Sequence, residues 1–158
     1  PFSEKNLKRY TIIVKIINDL ADKHEAMPTK GFMGGDDFAI IPYDSTQYNW
    51  CFTDKGSPTQ LSVKEIKNVR AIIQKAILEN NTNDFFNQIT ESEYKFQYIP
   101  IVTNTGEKQI WINAFCNSHG MDWSKDIVGV DDGGKCYWNM TVNLTKKTYY
   151  NFSINGSG

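Results

Sequence analysis

KCYWNMTVNLTKKTYYNFSIN, residues Lys135 to Asn155, is the stretch whose reading decides the fold. Cys136, Trp138, Met140, Val142 and Leu144 alternate with Lys135, Tyr137, Asn139, Thr141 and Asn143. Side chains on a strand point to opposite faces with a period of two, so this is a strand with one apolar and one polar face. After Thr145-Lys146-Lys147 the alternation resumes, with Tyr150, Phe152 and Ile154 on one side and Tyr149, Asn151 and Ser153 on the other. A two-residue loop at Lys146-Lys147 would set Val142 against Asn151 and mix the faces. Pairing Leu144 with Thr148 instead sets Val142 against Tyr150 and Met140 against Phe152, so an odd-length loop or a β-bulge is expected.

Upstream, Tyr94–Thr103 and Lys108–Ser118 show the same period and are joined by Asn104-Thr105-Gly106-Glu107, a glycine-containing hairpin turn. With Thr103 opposite Lys108, Ile101 meets Ile110 and Ile99 meets Ile112 on the core face. Phe96 and Tyr98 then share the other face with Trp111 and Phe115. Pro100 has no N–H to give a ladder, which predicts an edge strand or a bulge there.

If Lys108–Ser118 lies beside the strand from Lys135, Ile110 pairs with Val142, Ile112 with Met140, Ala114 with Trp138 and Cys116 with Cys136. The two cysteines then form a disulfide or fill the core as thiols. A competing topology folds Ile127–Val130 back through Asp131-Asp132-Gly133-Gly134 onto Lys135 and beyond. The pattern satisfies both.

Toward the N-terminus, Ser62 and Glu65 make a capping box and Leu61 with Ile66 a hydrophobic staple, so a helix starts at Val63 and runs to Asn80. Ile66, Val69, Ile73, Ala76 and Ile77 are its apolar stripe, Asn80-Asn81 its end, and Phe85 and Phe86 a short turn beyond. An earlier helix is expected from about Glu4 to Glu25, between the cap Ser3 and the breaker Pro28, with a strand as the competing reading because Thr11-Ile12-Ile13-Val14 is rich in β-branched residues. Met27 to Asp37 reads as a loop, Phe38–Tyr43 and Tyr48–Thr53 as short extended pieces, and Asp54–Pro58 as a turn.

The 158 residues suit one domain, residues 1–158, and 40% hydrophobic with 22% charged residues is globular composition. A formal charge of −1, with lysines spread along the chain, argues against nucleic acid or an anionic membrane as partner. No apolar run approaches the roughly 20 residues of a transmembrane helix. The chain opens on Pro1 rather than Met, which reads as a leader removed.

Motifs for chemistry are sparse. Asp36, Asp37, Asp131 and Asp132 on glycine-rich loops are oxygen-ligand material for calcium, but lack EF-hand spacing and are first of all turn residues. Cys116 and His119 make neither a zinc set nor an oriented nucleophile and base, and Cys51 would need the fold to bring His119 or His24 to it. No catalytic residue, metal ligand or cofactor is therefore assigned. Asn-x-Ser/Thr triplets at Asn80, Asn139, Asn143, Asn151 and Asn155 matter only in a secreted eukaryotic setting. The candidate binding surface is the polar side of the sheet: Phe96, Tyr98, Trp111, Asn113, Phe115, Tyr137, Asn139, Asn143, Tyr149 and Asn151. Aromatics among amides, almost without charge, suit a protein, a glycan or a second protomer. The opposing reading is that the first helix or the loop Asn117–Asp126 covers this side as a second core layer.

The runs GEKQIWINAFC (Gly106–Cys116) and DDGGKCYWNMTVNLTKKTYYNFSING (Asp131–Gly156) resemble a group of uncharacterised secreted or lipid-anchored proteins of Bacteroides-type bacteria. The resemblance covers mainly the C-terminal half and its motifs are structural, so no functional residue carries over. It implies a cystatin-like or NTF2-like fold, a place in the cell envelope or outside the cell, and an oxidised Cys116–Cys136 pair. Cystatin inhibitors use Gln-x-Val-x-Gly; here Gln109-Ile110-Trp111-Ile112-Asn113 has Trp and Asn at the last two fixed positions, against protease inhibition.

The expectation is thus an α+β domain, one or two helices on a curved four- to five-stranded antiparallel β-meander. Its expected role is non-enzymatic binding. The alternatives are a small-ligand carrier or enzyme with a pocket between helix and sheet, or a domain that dimerises through its sheet.

Overall fold

The computed structural model describes residues 34–81 and 88–156, with positions 19, 20 and 23. The helix expected from Glu4 to Glu25, those three positions apart, and the turn at Phe85 and Phe86 lie outside the described residues. Within them the order is β1 (Phe38–Ile40), α1 (Ser45–Tyr48), β2 (Gly56–Pro58), α2 (Val63–Asn80), β3 (Lys95–Thr103), β4 (Lys108–Phe115), β5 (Tyr137–Asn143) and β6 (Thr148–Ile154). Among the described residues from 34 onward the fold is α+β: two helices and a six-stranded, mostly antiparallel open sheet. No helix among the described residues is long and apolar enough to cross a membrane.

Strands β3 to β6 form the expected meander, antiparallel and in sequence order. The two short strands raise the count above the expected five. Both lie on the far edge of β3, β1 parallel to Phe96–Tyr98 and β2 antiparallel to Ile101–Thr103. Pro100 stands between them, where the chain leaves the sheet after Ile41 and returns at Gly56. The even-numbered N–H groups of β3 point to this edge, as Phe96 N donating to Asp37 O at 2.9 Å shows. Pro100 thus falls at a gap between two partners and needs neither a bulge nor a free edge.

Helix α2 runs from Val63 to Asn80 as its sequence dictates. Ser62 Oγ accepts from Glu65 N at 3.2 Å, and Glu65 Oε2 accepts from Ser62 N at 2.7 Å. Its stripe, Ile66, Val69, Ile72, Ile73, Ala76 and Ile77, is buried against Phe96, Tyr98, Ile110, Ile112, Ala114, Trp138, Met140 and Val142. Each isoleucine so buried contributes about 1.5–3 kcal/mol. Arg70 lies over the rings of Phe96 (4.7 Å) and Phe38 (5.6 Å) and pairs with Asp37 and Glu91, tying α2 to β1 and to the approach to β3.

The β4–β5 register follows the alternation: Ile110 faces Val142, Ile112 Met140 and Ala114 Trp138. Cys116 N donates to Cys136 O at 2.9 Å and the two cysteines are joined by a disulfide, which decides against the hairpin from Ile127. The expected irregularity in the last hairpin is a bulge between Asn139 and Thr141, where Asn151 adopts φ 55°.

The β3–β4 register is shifted by one from the expected pairing. Val102, not Thr103, faces Lys108, so Ile99 pairs with Trp111 and Tyr98 with Ile112. Thr103 N donates to Glu107 O at 2.8 Å and Gly106 N to Thr103 O at 2.9 Å, with Gly106 at φ 83°. This is a three-residue loop, a type I turn closed by a left-handed residue, in place of the expected four-residue one. One residue of register exchanges the faces of β3. Tyr48–Thr53 is also not extended: Asp44 accepts from Thr46 N at 2.8 Å and caps α1, which continues into a 3₁₀ turn at Asn49–Cys51.

Candidate functional site

The face of the sheet away from α2 carries most of the proposed binding residues, arranged in cross-strand rows. One row is Ile99, Trp111, Thr141 and Tyr150; the next is Gln97, Asn113, Asn139 and Ser153. Trp111, Asn113, Phe115, Tyr137, Asn139 and Asn143 belong to this side. Phe96 and Tyr98 do not: the shifted hairpin turns them into the core under α2, both at 0% exposure. Tyr149 faces Val142 on the helix side, and its hydroxyl donates to Glu79 Oε2 at 2.7 Å. The residue on the outer side is its neighbour Tyr150, because the register near the turn lies one residue from the expected one. Asn151 sits exposed in the bulge.

Much of this outer face is covered. Segment 41–55 packs Ile41, Tyr43, Cys51 and Phe52 onto Ile99, Ile101 and Trp111. Segment 117–135, between the disulfide cysteines, lays Met121, Trp123, Val128 and Val130 over Phe115 and Tyr137. It is fastened by two sheet amides. Gln97 Nε2 donates to Trp123 O at 2.6 Å and Asp126 O at 2.7 Å, while Gln97 Oε1 accepts from Val128 N at 2.9 Å. Asn113 Nδ2 donates to Gln97 Oε1 at 3.0 Å and to Val128 O at 2.7 Å. Lys95 Nζ rests 4.5 Å from the centre of the Trp123 ring. The second-layer reading therefore holds for Phe115, Tyr137 and Asn113, which are at most 7% exposed.

Tyr137 also anchors the start of that segment. Its hydroxyl lies 2.9 Å from Asn117 O and 2.7 Å from His119 Nε2. A carbonyl only accepts and a tyrosine has one proton to give, so Tyr137 donates to Asn117 and accepts from His119, which carries its proton on Nε2. Asn143 is held by donating to Glu107 Oε2 at 2.6 Å and accepting from Lys146 N at 3.0 Å.

What stays open is a shelf of Trp50, Tyr150 and Asn139 over the buried Trp111 and Thr141, which the alternation pattern locates only in part. Trp50 is 62% exposed, and its ring packs edge-on against Trp111 at 5.1 Å. Its Nε1–H is already committed to Gln47 O at 2.9 Å, so the ring offers an apolar face and no free donor. Trp111 and Tyr150 flank Thr141 on neighbouring strands, roughly 10 Å apart at ordinary strand spacing. The Tyr150 hydroxyl donates to Gln109 Oε1 at 2.9 Å, and Gln109 Nε2 to Asp54 Oδ2 at 2.9 Å, fixing the ring. Burial raises the Tyr150 pKa, so it remains a neutral phenol. Asn139, half-buried in the next row, is the amide beside this pair. Trp50 was missed because Tyr48–Thr53 reads as extended; the cap Asp44-Ser45-Thr46 is the signal that marks the helix and turn presenting it.

The other candidate chemistry is not brought together. Cys51 is buried among apolar side chains that push its thiol up to about 12, an unreactive state, and Cys116 is oxidised. Among the described residues no group of three His, Cys, Asp or Glu is placed to hold a metal ion, and Asp37 is engaged by Arg70. No protein-family model, curated protein or solved structure matches this chain.

Proposed function

We propose that this protein is a non-enzymatic binding domain of the cell envelope or the extracellular space, built on a cystatin-like or NTF2-like variant of the α+β fold. Its ligand surface is the shelf of Trp50, Tyr150 and Asn139, backed by the buried Trp111 and Thr141, and its ligand a neutral glycan. One observation carries this reading: a large indole ring is held in solvent with its N–H satisfied. A ring so placed gains by stacking on an apolar face, as a pyranose presents, and the surrounding hydroxyl and amide groups supply hydrogen bonds without charge. The Cys116–Cys136 disulfide favours an oxidising compartment, as does the resemblance to secreted and lipid-anchored proteins of Bacteroides-type bacteria.

Two other readings have less support. A carrier with a pocket between helix and sheet meets an interface where Val69, Ile73, Ala76, Phe96, Tyr98, Ile110 and Ile112 are all at 0% exposure. A dimer through the sheet would use the edge of β6, which no strand of the described residues covers and which the bulge at Asn151 interrupts.

The test is calorimetric titration of wild type and Trp50→Ala with a panel of neutral oligosaccharides. Wild type is expected to bind one class, and Trp50→Ala to lose at least about tenfold in affinity with an unchanged unfolding midpoint. Equal binding by the variant, or no binding by wild type, would remove the proposal.

A further inference from the structure

We propose that the Cys116–Cys136 disulfide is a redox-operated latch. Closed, it keeps segment 117–135 on the aromatic-and-amide face of the sheet; reduced, it releases that segment and uncovers Phe115, Tyr137, Gln97 and Asn113. The inference goes beyond the glycan shelf and does not depend on it.

Three observations combine. Cys116 is exposed on the wall of an open cleft of about 380 Å³, which Asp37, Glu93, Lys95 and Ser118 also line, while Cys136 is half-buried. Exposed disulfides are the ones reached by thiolates, and attack here falls on Cys116 Sγ. Second, the cross-link spans the whole covering segment, whose described main chain forms no strand with the sheet. What else holds it is mostly side-chain contact: the amides of Gln97 and Asn113, the Tyr137 hydroxyl, the Lys95–Trp123 contact, the Asn155 amide on Val130 O and the packing of Met121, Trp123, Val128 and Val130 on Phe115 and Tyr137, with the ties of Lys135 to Tyr94 and Gln88 and one main-chain bond, Gly134 N to Gly156 O, at its C-terminal end. Segments fastened by side-chain bonds and few ladder bonds open at lower free energy than the sheet beneath. Third, the remaining thiol, Cys51, is buried with Ile41, Tyr43 and Phe52 in a cluster that the segment touches only through Trp123 and Ile127, and does not compete in exchange.

The reductant is a dithiol. One of its thiolates attacks Cys116 Sγ; the Cys116–Cys136 bond breaks and Cys136 leaves as a thiolate that takes up a proton. The second thiol of the reductant then displaces Cys116 from the mixed disulfide. The protein gains two thiols and the dithiol becomes a disulfide.

The experiment compares oxidised and dithiothreitol-treated protein by amide hydrogen exchange, with iodoacetamide labelling under native conditions. Reduction should add two labels and leave Cys51 unmodified. The Val128 amide and peptides across 117–135 should exchange at least about tenfold faster, with α2 and the β3–β5 ladder unchanged. Unchanged exchange across 117–135 after two labels have been added would overturn the latch. So would faster exchange throughout α2 with labelling of Cys51, because the disulfide would then be a brace for the whole fold.

Discussion

Gln97 and Asn113 face each other across β3 and β4, with 3.0 Å between Asn113 Nδ2 and Gln97 Oε1, and together make four hydrogen bonds to the main chain of segment 117–135. Both amide nitrogens and Gln97 Oε1 have partners in the segment above, so the sheet and its cover are complementary in donors and acceptors as well as in shape.

Gln97→Ala removes three of those bonds and strands Val128 N without its acceptor. The expected cost is about 1–3 kcal/mol, read as a lower urea midpoint, with faster exchange confined to 121–130. Gln97→Glu should cost at least as much, because a carboxylate cannot donate to the Trp123 and Asp126 carbonyls. A midpoint equal to wild type for either variant would show that water replaces the amide.

Glu65 joins the α2 cap to β4 through Lys108 Nζ, 2.6 Å from its carboxylate. Burial alone would raise its pKa; the Lys108 ammonium and the Ser62 N–H outweigh this and hold it below the usual 4.5. A lowered folded-state pKa means that the stabilisation is present above the unfolded value and lost as pH falls through the folded one. Glu65→Gln, which keeps the capping geometry, should therefore cost about 0.5–1 kcal/mol at neutral pH and progressively less below pH about 4.5. Urea midpoints measured for both proteins across that range decide it, and a gap independent of pH would count against the pair.

Gly106 and Gly129 separate backbone strain from crowding. A Cβ at either would meet nothing within 4 Å, yet Gly106 has φ 83° and Gly129 lies outside the left-handed region. Gly106→Ala should destabilise by about 1–2 kcal/mol. Gly129→Ala should be neutral or stabilise by up to about 1 kcal/mol through the unfolded chain. Thermal melts of the two variants should thus shift in opposite directions or only for Gly106.

Trp111 and Trp50 touch but should behave as core and surface. Trp111 is 6% exposed, so Trp111→Ala is expected to cost about 3–5 kcal/mol, which rules it out as a neutral probe of binding. Trp50→Ala should cost much less. Equal losses in denaturant melts would mean that Trp50 is structural.

The parts of the fold that were legible are those where one local rule suffices. Ser62 and Glu65 place the start of α2, and the alternation of β4 and β5 sets their register because only one face of each is richly apolar. β3 escapes that logic. Both its faces are buried, and Phe96, Tyr98, Ile99 and Ile101 read equally well on either side. The loop after Thr103 then decides, and Asn104-Thr105-Gly106 serves three- and four-residue turns alike. Tyr149 and Tyr150 pose the same problem: adjacent and chemically alike, they are assigned to faces by the bulge at Asn151, whose presence but not position follows from the pattern. Of the binding surface, Trp111, Asn139 and the outer face of β5 could be read from alternation. The covering segment could not be distinguished from an open face, since amides that grip a main chain look in sequence like amides that face water.

The sharing of one edge of β3 by β1 and β2 orders events during synthesis. β1, β2 and the apolar stripe of α2 leave the ribosome before their partner strands exist. The meander, made largely of neighbouring strands, is the part able to form first, and β1, β2 and α2 then condense onto it. Weakening β1 with Ala39→Gly should speed unfolding and leave the refolding rate nearly unchanged in stopped-flow measurements. For the newborn chain, the apolar stripe of α2 stays uncovered until its sheet is made, and that interval is when the chain is most open to aggregation.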